Sequence, residues 1–277
     1  MCRAALVYSP ATMRGLIFNF VALAALMPAA LIHLRRAERP DGVYWAVLGA
    51  ALAGTGSWAY TLLSGNWHTG LTATLWVSIA ASLAVFIVVS LLSSHAWRLT
   101  PLLLPYLLLL GIIATIWAHA SGIPLPASIE SPWLGVHIAV SVLTYALLTI
   151  AAVAGLAVML QEGALKRKRP TALTRVLPSV VDGEALQIQL LIAGEAVLGA
   201  GLLSGIAAEY VGEGSWLTLD HKTLLSLIAF AVIGLLLLAH WRTGVRGRRA
   251  ARYLLIAYLL LTLAYPGVKF VTDVLLA

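Results

Sequence analysis

A single cysteine, Cys2, in 277 residues excludes an intramolecular disulfide, a Cys-x-x-Cys redox pair and a zinc site built from thiolates. Charge is also scarce. Only 10% of residues are Asp, Glu, Lys or Arg, against roughly a quarter in an ordinary soluble domain. With 61% hydrophobic residues and a mean hydropathy of +0.95, a soluble fold is excluded. The usual sequence signs of catalysis are missing: no HExxH pair, no glycine-rich phosphate loop after a strand pattern, and no nucleophile–base motif. The expectation is a protein that is not an enzyme. There is no repeat of fixed period and no inverted pair of broken helices, which weakens a transporter reading.

What the chain has instead is long apolar runs. A helix needs roughly 20 apolar residues to cross the ~30 Å hydrocarbon core. Eight segments meet that need: 14–34, 43–63, 71–92, 100–120, 133–160, 187–207, 223–241 and 253–272. The fifth is long enough to run past the membrane. A cleaved signal peptide is the rival reading of 14–34. That segment is a full span with no clear small-residue cleavage site before Arg35 and Arg36, so it is read as the first helix. The fold class is therefore all-α, a polytopic bundle of about eight transmembrane helices forming one membrane domain over residues 1–277.

The net charge of +7 could suggest nucleic acid, but in a membrane protein charge must first be sorted by side. Of the 18 Lys and Arg, 14 fall in alternate connections: three in 34–42, Arg98, five in 161–186 and five in 242–252. The other side holds Arg3, Arg14, Lys222 and Lys269. The positive-inside rule then places both termini outside and the basic loops in the cytoplasm of a bacterial-type inner membrane. No nucleic-acid partner is expected. The run Lys166-Arg167-Lys168-Arg169, within 161–186, reads as lipid headgroup contact or as a docking point for a cytoplasmic partner.

Polar residues inside spans are costly and therefore informative. On the fifth helix His137, Ser141, Tyr145 and Thr149 recur every fourth residue with Thr144 beside them, so they share one face directed into the bundle. Interhelical hydrogen bonding explains such a stripe. His137, near the outer surface, also suits metal ligation. Glu195 lies mid-span in the sixth helix and reads as a protonated, hydrogen-bonded acid or as part of a proton path. Gly201 and Gly205 at GxxxG spacing, with Ser204 between them, read as close packing. Four of the seven histidines (His68, His119, His137, His221) fall on the outer side. His33 and His240 sit at inner helix ends and His95 in an inner loop. Trp216 and Tyr210 stand where an interfacial aromatic belt would put them.

Segments 133–169, 187–226 and 240–269 resemble the cytochrome c assembly family, so that 133–272 forms a cytochrome c assembly-like region. The likeness is carried by Trp133-Leu134-Gly135-Val136-His137-Ile138 running on to Tyr145, and by Leu203-Ser204-Gly205 followed by the loop to Asp220. It continues in Ala239-His240-Trp241-Arg242, Gly247-Arg248-Arg249, and Leu263-Ala264-Tyr265 with Gly267-Val268. It is closest to YpjD-type members. The resemblance implies haem handling, with His137 as the iron ligand. The associated residues are His119, Trp216, Asp220, His221, Lys222 and His240, of which His221 or His119 would be the second axial donor. Lys222 would pair with a propionate. Membrane lipid and a cytochrome c assembly partner protein are implied as partners. Two departures stand out. Where haem-carrying members have W-x-W-D-P-K, this chain has Leu217-Thr218-Leu219-Asp220-His221-Lys222, and the outer histidine of the last helix is absent. Leucines supply apolar area but not the flat faces that stack on a porphyrin. The alternative is a regulatory or scaffolding protein of the HemX or YpjD kind that binds no haem.

Overall fold

The computed structural model describes residues 10–35, 39–64, 70–118, 132–213 and 221–271. The described residues are helical, without strands, as backbone in lipid must be when its polar groups can find partners only within the chain. The helices are α1 (Pro10–Leu31), α2 (Gly42–Leu63), α3 (Leu71–Leu92), α4 (Thr100–Ile116), α5 (Pro132–Arg167), α6 (Ala172–Val176), α7 (Val180–Glu213), α8 (His221–Thr243), α9 (Gly247–Thr262) and α10 (Val268–Phe270). Seven helical segments among them are long and apolar enough to cross a membrane. The eighth sequence-derived span, 253–272, starts as α9 but passes at Leu263–Gly267 into a π turn containing Pro266 before α10. Its α-helical part is 16 residues long. A proline cannot donate to the ladder, and π turns often mark functional positions.

Helices α5 and α7 run longer than their sequence spans, at 36 and 34 residues. At 1.5 Å per residue each exceeds roughly 50 Å, so both project beyond the hydrocarbon core on the basic side. There α6 closes their hairpin. Thr171 caps α6 in a reciprocal capping box with Thr174. The Gln161 side-chain amide donates to the carbonyls of Thr174, Leu177 and Pro178. Ser179 then accepts from the Asp182 amide at the start of α7. One glutamine thus satisfies carbonyls that the broken helices leave without partners.

The bundle has two parts. Helices α1 to α4 pack on one another, α5, α7, α8 and α9 do the same, and α3 against α5 joins them. In the first part, buried Asn19 on α1 accepts from the indole N–H of both Trp58 and Trp76, and donates to the Gly15 carbonyl. In the second, Gly247 opens α9 at φ +61, close against Glu162 of α5, whose carboxylate accepts from the Arg248 amide at 3.3 Å. A carboxylate at a helix N-terminus is favourable.

Candidate functional site

A cavity of about 430 Å³ opens among the outer ends of α5, α7, α8 and the α9 π-turn region. Its α5 wall is His137, Ile138, Ser141, Thr144 and Tyr145. Four members of the predicted stripe therefore do look into the bundle. Thr149, one turn deeper, lies beneath it in a hydroxyl cluster. Tyr258 of α9 donates to the Tyr145 hydroxyl at 3.1 Å, and its own oxygen lies 2.9 Å from Thr149 Oγ1 and 2.7 Å from the Tyr106 hydroxyl of α4. That cluster fixes the floor of the cavity to α4 and α9. Apolar Leu198, Leu202, Ile206, Leu227 and Leu261 supply most of the remaining wall, with Glu209, Thr223 and Ser226 at the outer side.

His137 is held by α7. Its Nδ1 lies 2.9 Å from Ser204 Oγ, and that hydroxyl donates its one proton to the Gly201 carbonyl at 2.8 Å. Since Ser204 has no second proton to give, Nδ1 must carry the hydrogen and donate it to Oγ. The tautomer follows: Nε2 keeps its lone pair and makes no hydrogen bond to a described residue. Gly205 lets the ring sit there, because a Cβ at that position would stand 3.0 Å from His137 Cε1. Trp133 Nε1 donates to the Ser204 carbonyl at 3.0 Å, bracing the same pair of helix ends. Gly201, Ser204 and Gly205 are therefore not packing alone, as the GxxxG spacing suggested. Ser204 orients the histidine, Gly205 makes room for it, and Gly201 supplies the carbonyl that takes the Ser204 proton and packs against Val140.

Other predicted residues are placed differently. His240 lies at the far end of α8, where its Nδ1 donates to the Val245 carbonyl at 3.0 Å and closes the turn into α9. It does not join His137. His221 and Lys222 form the first residues of α8, directly before Thr223 in the cavity wall. Their side chains, together with His119, Trp216 and Asp220, lie outside the described residues. Of the described histidines, only His137 lines the cavity. Sequence reasoning missed Glu209, Tyr106 and Tyr258. The tyrosines are single polar tips on distant helices, and only packing shows that they meet.

Glu195 sits at mid-height of α7, away from the cavity lining. Its Oε2 is buried without a hydrogen-bond partner among the described residues, and Oε1 lies against Gly234 of α8. A carboxyl oxygen buried without a hydrogen-bond partner inside a span is costly. Glu195→Gln is expected to leave membrane abundance unchanged. Glu195→Lys should reduce it sharply, since a fixed cation at the helix centre costs about 3 kcal/mol. Quantitative immunoblots of membrane fractions test this, and equal loss in both variants would contradict it.

An all-helical membrane bundle with one oriented histidine lining a cavity between its helices defines a class of polytopic membrane protein. The chain belongs to the cytochrome c assembly protein family, whose pattern it matches over residues 50–276. The match therefore begins well before residue 133, where the sequence resemblance was read. It is 54% identical over 268 residues to an uncharacterized 28.8 kDa protein in the nifR3-like 5' region of Azospirillum brasilense, covering 95% of this chain and 99% of that one. It is 28% identical over 196 residues to the inner membrane protein YpjD of Escherichia coli K12, covering 70% and 72% of the two chains. Membership supports a role in cytochrome c biogenesis and localisation in the inner membrane.

Proposed function

We propose that this protein is an accessory haem-binding component of cytochrome c assembly, holding haem at the outer face of the inner membrane with His137 as the iron ligand. The observation that carries this reading is the Gly201–Ser204–His137 chain, which leaves Nε2 unprotonated beside a cavity of about 430 Å³. Ligating histidines generally have their second ring nitrogen held in this way, and the volume is in the ~300–1,000 Å³ range of small-ligand sites. Among the described residues no three His, Cys, Asp or Glu side chains come together. A bare metal ion would lack ligands there, whereas haem iron brings four porphyrin nitrogens and asks for an imidazole. The Leu198, Leu202, Ile206 and Leu227 wall suits a porphyrin edge, and His221 or His119 would be the second iron ligand. Haem itself supplies the redox-active iron that a c-type cytochrome must receive.

Leucines at 217 and 219 favour a second reading, in which the cavity is vestigial and the protein is a HemX- or YpjD-like scaffold. Absorption spectra separate the two. Protein purified from haem-replete membranes is expected to show a Soret band, and His137→Ala protein of equal helicity should retain less than about a tenth of it. Wild-type protein without that band would favour the scaffold.

A further inference from the structure

A second, larger cavity of about 600 Å³ lies at the opposite end of the bundle, on the basic side, and nothing above uses it. Its wall comes from four places in the chain: the 3-10 turn after α1 (Ile32–Arg35), the entry to α2, the start of α4, and α6. Four guanidinium groups, Arg35, Arg39, Arg98 and Arg175, line it together with His33. Among the described residues the only carboxylate in the lining is Asp41, and it is already engaged. It caps the Tyr44 amide at 2.8 Å and pairs with Arg35 at 3.3 Å. The Tyr44 amide first, and Arg35 after it, hold that carboxyl below its usual range against an opposing desolvation. Arg39, Arg98 and Arg175 have no carboxylate partner among the described residues. Arg98 lies over the Trp97 ring, 5.6 Å from its centroid, and Tyr44, Trp97 and Pro101 give the cavity an apolar side. Leu31, Leu34 and Val43, exposed large apolar residues beside the lining positions, put the mouth at the boundary between acyl chains and headgroups.

Three guanidiniums without a carboxylate partner among the described residues repel each other around one cavity, and a phosphate oxygen set relieves that repulsion through bidentate bonds. Position at the membrane interface selects the source of the phosphate. We propose that this pocket binds the phosphodiester headgroup of an anionic phospholipid of the cytoplasmic leaflet, with glycerol and acyl carbons against Trp97 and Tyr44. A headgroup bearing its own ammonium would bring a cation towards the arginines, so zwitterionic lipids are expected to bind more weakly. Basic pockets between helices on this side recognise such headgroups.

Native mass spectrometry of the full chain, delipidated in detergent and titrated with phosphatidylglycerol or with phosphatidylcholine of the same acyl chains, tests the proposal. One phosphatidylglycerol per chain is expected, in preference to phosphatidylcholine. At about a kilocalorie per basic residue, Arg98→Gln and Arg175→Gln should each weaken it about fivefold and the double variant roughly thirtyfold. Lys168→Gln/Arg169→Gln, which removes the same charge outside the pocket, should stay near wild type. Equal weakening in both double variants would reduce the effect to the diffuse field of the basic face and overturn the site, as would equal retention of phosphatidylcholine. Displacement of the lipid by excess inorganic phosphate would overturn the lipid source. If the double variant fails to accumulate, the single variants, each keeping three guanidiniums, carry the same comparison.

Discussion

If His137 holds haem as proposed, replacing Gly205 with valine is expected to strip it from the protein without unfolding the chain. Even the first added carbon would stand 3.0 Å from His137 Cε1, and the two valine methyls go beyond it, so the imidazole must swing off Ser204. The ring then loses the bond that sets its tautomer and direction. Loss of such a supporting contact typically weakens metal affinity by about 10- to 100-fold, while the overpacking itself costs about 1–3 kcal/mol. Ser204→Ala, which removes the same bond without steric change, should lower haem occupancy by about tenfold. Soret absorbance per helical protein measures both. A Gly205→Val protein with full haem would show that His137 is not held by this contact.

The largest stability effect is expected at Gly247. Its φ of +61 is a left-handed conformation, which costs an ordinary residue about 1–2 kcal/mol. At this position a Cβ would also run into Glu162 Oε1, with Glu184 Oε1 at 3.5 Å. Moving Glu162 breaks its bond to the Arg248 amide at 3.3 Å, at the point where α9 docks on α5. The combined loss for Gly247→Ala is about 3 kcal/mol. Gly244 supplies the control. Its φ is +67 but nothing lies within 4 Å of its added carbon, so Gly244→Ala should cost only the conformational term, about 1–2 kcal/mol. Thermal unfolding of the two purified variants checks the difference. Similar midpoints would mean that the Glu162 contact contributes little.

Much of the fold was legible because lipid imposes a simple rule: apolar runs of span length become helices. Segments 43–63 and 71–92 agree with α2 and α3 to within a residue. The projections of α5 and α7 were harder to read, since their cytoplasmic ends carry Gln161, Glu162 and Glu184, and hydropathy alone ends the span there. The inward face of α5 was legible from fourfold spacing. What it faces was not. The cavity exists because Gly201 and Gly205 bring α7 close to α5 at one level while Leu227 and Leu261 stand back at another, a property of four helices together. Ser204 was visible only as a small residue between two glycines, and its tie to His137 spans 67 positions of sequence. Asn19 gave a signal that could have been used, as a lone amide in an apolar span. The arginine pocket did not, because its four guanidiniums come from three separate connections and sequence shows only their common side.

Chemical complementation tests most directly whether His137 Nε2 ligates haem iron. His137→Gly protein, purified and supplied with haem, should have lost the Soret spectrum of the wild type. Added imidazole, free to enter the space that the side chain vacates, should restore it in proportion to concentration, while having no such effect on wild-type protein. A His137→Gly protein that keeps the wild-type spectrum without imidazole would contradict the account.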